Sequence, residues 1–229
     1  MVLNQLQSWR DEYPSLGYVA PFVTVLLLLA LPKPQALIYW EWPIQVVVVA
    51  LVCFLTWPKD VTLGPKFWLL SLLIGAATFI LWIGPEVINP NYRHGILFSN
   101  SLVGHVGSSL REEALKSNSV LFWRTVRAST VVPVAEELFW RAWLMRWLIR
   151  TDFRTVALGT YAPAAFWITA LMFGAEHGPY WDVGLLTGAL WNFWMMRSKS
   201  VADCILVHAV TNLLMSLYVI RYGQWQYWQ

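Results

Sequence analysis

Repeated long apolar stretches constrain this chain more than any other feature of its sequence. Of its 229 residues, 58% are hydrophobic and only 13% are charged, whereas soluble domains are about 45–50% apolar and about 25% charged. A helix that crosses a bilayer needs about 20 predominantly apolar residues. The sequence therefore predicts an all-α, polytopic membrane bundle of about seven to eight transmembrane helices. The candidate spans are Tyr18–Leu37, Ile44–Thr56, Lys66–Ile83, Ala128–Trp147, Thr155–Ala175, Val183–Met196 and Val201–Ile220.

Charge and cysteine content narrow the class of protein further. The net charge is only +3, and the basic residues are scattered between apolar stretches, which is typical of membrane topology and not of nucleic-acid binding. Three basic loops, 59–66, 146–154 and 197–199, share a side if the chain crosses seven times, and the positive-inside rule makes that side cytoplasmic. Cys53 and Cys204 are predicted to be buried free thiols. The 16 tryptophans are predicted to form belts at the membrane interfaces.

Residues 84–118 form a long polar connection between predicted spans. We expect a loop there, followed by an amphipathic helix that lies at the interface before the fourth span. The single membrane domain, residues 1–229, is therefore divided into N-terminal spans with this connection, residues 1–118, and a core, residues 119–220. Four titratable side chains of the connection are interpreted as solvated: His94, His105, Glu112 and Glu113.

Two carboxylates and a guanidinium interrupt the fourth predicted span. An ionisable side chain inside a span costs about 2.5–3.5 kcal/mol, so it usually finds a partner or marks a functional path. Glu137 and Arg141 are four residues apart and are predicted to form an ion pair on one helix face. Glu136 projects about 100° away and stays available for chemistry. Pro133 is expected to disturb the helix just upstream.

Two further polar clusters lie in later spans. Phe173 and His177 share a face at the end of the fifth span, and His208 and Asn212 share a face in the middle of the last. Glu176 lies off the first of these faces and is interpreted as an interfacial residue. Each cluster alone also fits a structural role, as an ion pair, a helix cap or a hydrogen bond between helices. Together the three predict a shared polar cavity within the bundle.

Such a cavity suits hydrolysis by an activated water molecule. A buried glutamate can act as a general base, and histidine and asparagine donors can stabilise the oxyanion of a tetrahedral intermediate. The sequence contains no GxSxG motif, and no serine or cysteine stands out as a nucleophile beside a base. Cleavage of a peptide bond within the membrane is the reaction that this set of side chains favours.

The three clusters match known motifs in order. EELFWR at 136–141 matches EExxxR, FGAEH at 173–177 matches FxxxH, and HAVTN at 208–212 matches HxxxN. Over about residues 119–220 the chain resembles the CAAX-protease and bacteriocin-processing family of intramembrane glutamic proteases, relatives of the Ras-converting CAAX endopeptidase. The resemblance implies a helical bundle with a conical cavity open to the membrane, and a mechanism without metal or cofactor. The roles it implies are a water-activating Glu136 assisted by His177, an oxyanion hole of His208 and Asn212, and support from Glu137, Arg141 and Phe173.

The resemblance also implies partners and a location. The substrate is expected to be a membrane-anchored or lipidated protein or peptide in the bilayer, with no nucleic acid involved. The tryptophan content and short length resemble bacterial members, which places the chain in the inner membrane. Some of those members accompany exosortase-type protein-sorting systems. The site lies nearer the side of residues 84–118, opposite the basic loops.

Two other functions remain open from the sequence. In one, carboxylates with His177 and His208 hold Zn²⁺ with an open position for water, although the HExxH pattern is absent. In the other, the chain is a non-catalytic membrane scaffold or immunity protein. A transporter is disfavoured because polar clusters occur only in the second half of the chain.

Overall fold

A computed structural model describes residues 12–32 and 34–228, so residues 1–11 of the predicted N-terminal region lie outside the described residues. This described part is helical and contains no strand, which confirms the predicted all-α class. The α-helices are α1 Leu16–Ala30, α2 Glu41–Thr56, α3 Trp68–Ile88, α4 Glu112–Leu115, α5 Asn118–Ser129, α6 Val131–Glu137, α7 Met145–Trp147, α8 Pro163–Ala175, α9 Trp181–Ser198 and α10 Val201–Tyr222. A π-helical turn, Leu138–Leu144, joins α6 to α7.

Every predicted span coincides with helix, but several boundaries differ. The first ends at Ala30 because Pro32 and Pro34 follow at once, and proline lacks the N–H that a continuing helix needs. The fifth starts only at Pro163, since proline is favoured in the first turn of a helix. By length and composition α3 and α10 can cross a membrane, while α1, α2 and α8 are shorter apolar helices.

The distribution of polar and apolar side chains is inverted relative to a soluble protein. Large apolar side chains cover the outside of the bundle, among them Leu27, Phe54 and Ile80, each more than 60% exposed. Charged side chains are enclosed instead, and Glu137 and Arg141 are fully buried. Soluble proteins almost never bury such residues unless they are paired.

The expectation that tryptophans mark the interfaces is wrong for five of them. Trp42, Trp140, Trp191, Trp194 and Trp228 are buried. Their rings pack against histidine or arginine side chains, or against other rings, inside the bundle. Composition alone could not reveal this, because tryptophan suits both a membrane interface and a core that contains cations.

The predicted grouping of the basic loops is confirmed by contacts at one end of the bundle. Arg146 lies 3.4 Å from the Asp60 carboxylate, and Lys66 donates to the Lys199 carbonyl at 3.4 Å. At the other end, Ser109 donates its backbone N–H to the Trp228 carbonyl at 2.8 Å. The polar connection therefore lies opposite the basic loops, as expected.

Close backbone contacts position the helices that carry the candidate site. A Cβ on Gly174 of α8 would lie 2.9 Å from the Leu185 nitrogen and from the Trp181 oxygen, so α8 and α9 approach more closely than larger residues would allow. A Cβ on Gly75 of α3 would lie 2.8 Å from the Val207 oxygen of α10. Small residues at such contacts are typical of helices packed in membranes.

Asp203 fixes the two long helices to each other. Its carboxylate accepts hydrogen bonds from the backbone of Lys66 at 2.7 Å and Phe67 at 2.8 Å, and from the Ser71 hydroxyl at 2.9 Å. These donors lie at the N-terminus of α3, where backbone N–H groups lack partners within the helix. Asp203, at the start of α10, thus caps the N-terminus of α3 and fixes the position of His208 along the axis of the bundle.

Candidate active site

A break in the fourth predicted span shapes the site. Thr130 separates α5 from α6 with φ −125° and ψ −77°. Pro133 explains the position of the break, because its ring clashes with the carbonyl four residues earlier and it cannot donate to it. The expected disturbance by Pro133 is therefore confirmed. The π-helical turn begins directly after Glu137, and such turns are frequent at functional sites.

The predicted ion pair of Glu137 and Arg141 is confirmed. Arg141 Nη1 lies 3.1 Å from Glu137 Oε1, and both side chains are fully buried. The same Glu137 oxygen lies 2.9 Å from Nδ1 of His208, on α10. Glu137 thus has two partners, because it pairs with Arg141 and also bonds the His208 imidazole of the third motif. This contact joins residues that are 71 positions apart.

Aromatic rings enclose the guanidinium of Arg141. Its central carbon lies 4.4 Å from the ring centroid of Phe173 and 5.3 Å from that of Trp191. Trp191 also packs on the His208 imidazole, with 4.5 Å between centroids. Cation–π contacts partly replace the hydration that a buried guanidinium loses. Phe173 therefore contacts Arg141 of the first motif, and Trp191 is a further contact that its sequence context did not indicate.

His177 is held by its own helix and by α3. Its Nδ1 lies 2.6 Å from the Phe173 carbonyl oxygen, and its ring packs on Phe173 and Trp82 at 4.7 and 5.1 Å. A carbonyl oxygen only accepts hydrogen bonds, so Nδ1 carries the proton and Nε2 of the neutral ring carries a lone pair. His177 can therefore accept a proton through Nε2.

The same reasoning applies to His208. Its Nδ1 faces the Glu137 carboxylate, and an ionised carboxylate only accepts hydrogen bonds. Nδ1 therefore carries a proton, and Nε2 can donate a hydrogen bond only when the ring is an imidazolium. Glu137 is placed to balance the positive charge of that form.

Glu136 lies among these groups. It is half-buried, and its carboxylate is within electrostatic range of His208, Glu137, Arg141 and Arg127. His177 is in turn within electrostatic range of His208 and Arg141. The charge of Glu136 is therefore coupled to residues of the first and third motifs.

Asn212 joins the site through the helix break. Its Nδ2 donates to the Ala128 carbonyl oxygen at 2.8 Å, at the end of α5. One N–H of the amide is thereby engaged and the second remains for a ligand. Asn212 and His208 are one turn apart on α10, but their bonded partners differ, so they are oriented by separate parts of the span that contains Glu136.

Glu176 comes closer to the site than its sequence position suggested. It is an exposed residue at the end of α8, yet its charge interacts with those of Glu136, Arg141 and Glu137. Within its own helix, Glu176 is predicted to lie off the face that carries Phe173 and His177, and the spacing along α8 agrees with this. This prediction did not account for the π-helical turn after Glu137, which packs on α8 through Trp140 and Phe173.

The turn after His177 is fixed by a buried arginine from the polar connection. Arg93 Nη1 lies 2.7 Å from the Pro179 carbonyl oxygen and 2.7 Å from Asp182 Oδ1. Its guanidinium also packs on Tyr180 at 4.2 Å. The residues interpreted as solvated in the same connection, His94, His105, Glu112 and Glu113, are exposed.

No three His, Cys, Asp or Glu side chains within residues 12–32 and 34–228 form a group arranged to hold a metal ion. His177 and His208 each have Nδ1 bonded to protein, so only Nε2 of each ring remains to act as a ligand. A zinc site of the kind considered above would need Glu136 together with these two nitrogens.

The segment that contains all three motifs matches a known family. Residues 118–214 match the family described as Type II CAAX prenyl endopeptidase Rce1-like. This segment is similar to the Rce1-like family. The resemblance expected from EExxxR, FxxxH and HxxxN is thereby confirmed at the level of the family. Comparison with curated proteins and with solved structures gives no match. The Rce1-like segment starts at the first residue of α5 and ends within α10.

Proposed function

We propose that this chain is an intramembrane endopeptidase that hydrolyses a peptide bond near the end of a membrane-anchored protein or peptide. One observation supports the proposal most directly: His208 interacts electrostatically with both Glu136 and His177, and the three residues come from separate elements of the Rce1-like segment. The family supports a protease of the CAAX type. The catalytic roles of individual residues follow from the contacts described above.

Location in a membrane is supported by the surface of the bundle. Large apolar side chains face outward while Glu137, Arg141 and His208 are buried, an arrangement suited to a hydrocarbon solvent. The helices α3 and α10 have the length and composition of spans. We place the chain in a bacterial inner membrane as a multi-pass protein.

In the proposed mechanism Glu136 takes a proton from a water molecule, and the water oxygen attacks the carbonyl carbon of the peptide bond. His177 supports this step, because its Nε2 lone pair can accept a hydrogen bond from the same water. The attack places negative charge on the carbonyl oxygen. Asn212 donates its second N–H to that oxygen, and His208 donates from Nε2 as an imidazolium stabilised by Glu137.

Collapse of the intermediate breaks the carbon–nitrogen bond. The proton held by Glu136 passes to the leaving nitrogen, so the products are a carboxylic acid and an amine. Water is the only co-reactant. The substrate reaches Glu136 on the half of the bundle nearer residues 84–118, and we propose a membrane-anchored or lipidated chain, such as a tail handled by an exosortase-type sorting system, as its class.

Cleavage by the purified protein in vesicles tests the proposal. Membrane-anchored peptides that differ in length beyond the anchor are supplied together with hydroxylamine, and the fragments are weighed by mass spectrometry. We expect fragments that end in a carboxylic acid and carry no hydroxamate, because no acyl–enzyme forms for hydroxylamine to intercept. Hydroxamate products would replace the water mechanism with a covalent one, and a complete lack of cleavage would favour the non-catalytic alternative.

Metal removal separates the proposed mechanism from the zinc alternative. We expect the initial rate of peptide cleavage to be unchanged after incubation with EDTA and 1,10-phenanthroline, since Glu136 and His177 activate water without a Lewis acid. The measurement is the rate before chelation, after it, and after addition of Zn²⁺. A rate that falls on chelation and returns with Zn²⁺ would establish the metalloprotease instead.

A further inference from the structure

Arg93 is a buried cation from outside the Rce1-like segment that reaches the turn after His177. It lies in the polar connection, within the short helical turn Tyr92–His94, and only 2% of its surface is exposed. Charged side chains are almost never this buried unless they are paired. The chain therefore encloses a guanidinium beside the candidate site, and this guanidinium has no role in the steps proposed above.

One nitrogen of Arg93 holds the turn at two points. Nη1 donates to the Pro179 carbonyl oxygen and to Asp182 Oδ1, each at 2.7 Å. The guanidinium also packs on the Tyr180 ring, 4.2 Å from its centroid. The turn Gly178–Tyr180 and the first turn of α9 are thus attached to a single side chain.

His177 depends on this turn for its position. Its N–H bonds the Gly174 carbonyl at 3.1 Å, so it lies at the very end of α8, and its own carbonyl accepts the Tyr180 N–H at 3.0 Å. Helix ends fray, and an imidazole at such an end is held less firmly than one in the middle of a span. Bonds to the following turn from another part of the chain therefore restrain His177.

A second connection from Arg93 to His177 runs through α9. Asp182 lies in the first turn of this helix, and a Cβ on Gly184, two residues later, would lie 3.4 Å from the His177 Cβ. The backbone of α9 therefore packs directly against His177. Because Arg93 bonds both Pro179 and Asp182, it holds the turn that follows the histidine and also the helix that packs on it.

We propose that Arg93 is a positioning residue for peptide hydrolysis and that it acts through His177. This inference rests on the proposed function and extends it to a residue outside the Rce1-like segment. Arg93 is too deeply buried to contact a substrate, so its contribution is to keep Nε2 of His177 directed at the water molecule that Glu136 activates. Misplacing a catalytic group by about 1 Å can cost about 10²-fold in rate.

The kinetics of Arg93→Gln test this assignment. With the full-length protein in vesicles, we expect kcat for a membrane-anchored peptide to fall by about 10- to 100-fold. KM should stay within about 2-fold of the wild-type value, because no contact with the substrate is lost. Arg93→Lys should retain most of kcat, since its single nitrogen can take the place of Nη1 between Pro179 and Asp182.

Tyr92→Phe is the matched control. It removes a hydrogen bond of 3.1 Å to the same Asp182 from the same connection, but it leaves the bond from Arg93 to Pro179 in place. We expect it to keep the wild-type kcat. The comparison separates the general effect of loosening the connection from the specific effect of releasing the turn.

Combination with His177→Ala distinguishes positioning from a purely structural role. If Arg93 acts through His177, Arg93→Gln should lower the residual kcat of His177→Ala by less than about 2-fold, because coupled effects do not add. Thermal denaturation of each variant is recorded as well. Where Arg93→Gln alone reduces the yield of folded protein, Arg93→Gln with Asp182→Asn gives the same readout, since it removes the carboxylate together with its cation.

A folded variant of either kind with wild-type kcat would overturn the assignment and leave the protease intact. The same would follow if Arg93→Gln caused its full loss of kcat in the His177→Ala background, because Arg93 would then act on another group. Lack of cleavage of any peptide by the wild type would instead remove the proposed function itself.

Discussion

Glu136→Gln is expected to reduce peptide cleavage by about 10²- to 10⁴-fold, the usual contribution of a general base. Glutamine keeps the shape of the side chain but cannot take a proton from water. Because Glu136 is half-buried and interacts with its neighbours through its charge, the fold should tolerate the change. The measurement is kcat in vesicles, with the elution volume and thermal denaturation of the purified variant recorded beside it.

Glu113→Gln is the matched control, since Glu113 is an exposed carboxylate in α4 and its loss should leave kcat as it was. The two substitutions change the net charge equally, so a difference between them reports the position of Glu136. Wild-type kcat in Glu136→Gln would rule out the assigned base. Glu176→Gln is an informative companion, because Glu176 lies near Glu136 but has no role in the proposed steps.

Arg141→Ala and Glu137→Ala are each expected to destabilise the protein by about 3–5 kcal/mol, the range for removing one partner of a buried ion pair. Each change leaves the other charge enclosed without a partner, because both side chains are fully buried. Glu137→Ala additionally removes the acceptor of His208. Thermal denaturation of the detergent-solubilised protein, together with the yield of folded protein, measures the effect.

Removing both charges at once provides the control for this argument. Glu137→Gln combined with Arg141→Met should be less destabilising than Arg141→Met alone, since no uncompensated charge remains. Glu112→Ala, at an exposed position, should change stability by less than about 0.5 kcal/mol. Arg141→Ala with wild-type stability would mean that neither the ion pair nor the aromatic contacts of Arg141 stabilise the fold.

The spacing of residues along the sequence predicted the contacts that form within a single helix. The ion pair of Glu137 with Arg141 and the shared face of Phe173 and His177 follow from residues four apart. The break near Pro133 follows from the chemistry of proline. Apolar length located the helices but not their ends, since flanking prolines such as Pro163 shift where a helix starts.

Contacts between helices could not be obtained in this way. The bond from Glu137 to His208 joins α6 to α10, and nothing in either motif specifies which glutamate the imidazole meets. The position of Glu176 beside Glu136 depends on how α8 packs against the fourth span. Nothing in the sequence predicted that α5 packs with the Arg127 side chain enclosed. The relative rotation of packed helices is a property of the whole bundle.

The hydrogen bond from Asn212 to Ala128 connects α10 to the joint at Thr130. In the proposed mechanism, a change in the angle between α5 and α6 would move the Ala128 oxygen and, with it, the amide that faces the reacting oxygen. A substrate that changes this angle on binding would express part of its binding energy in turnover as well as in affinity.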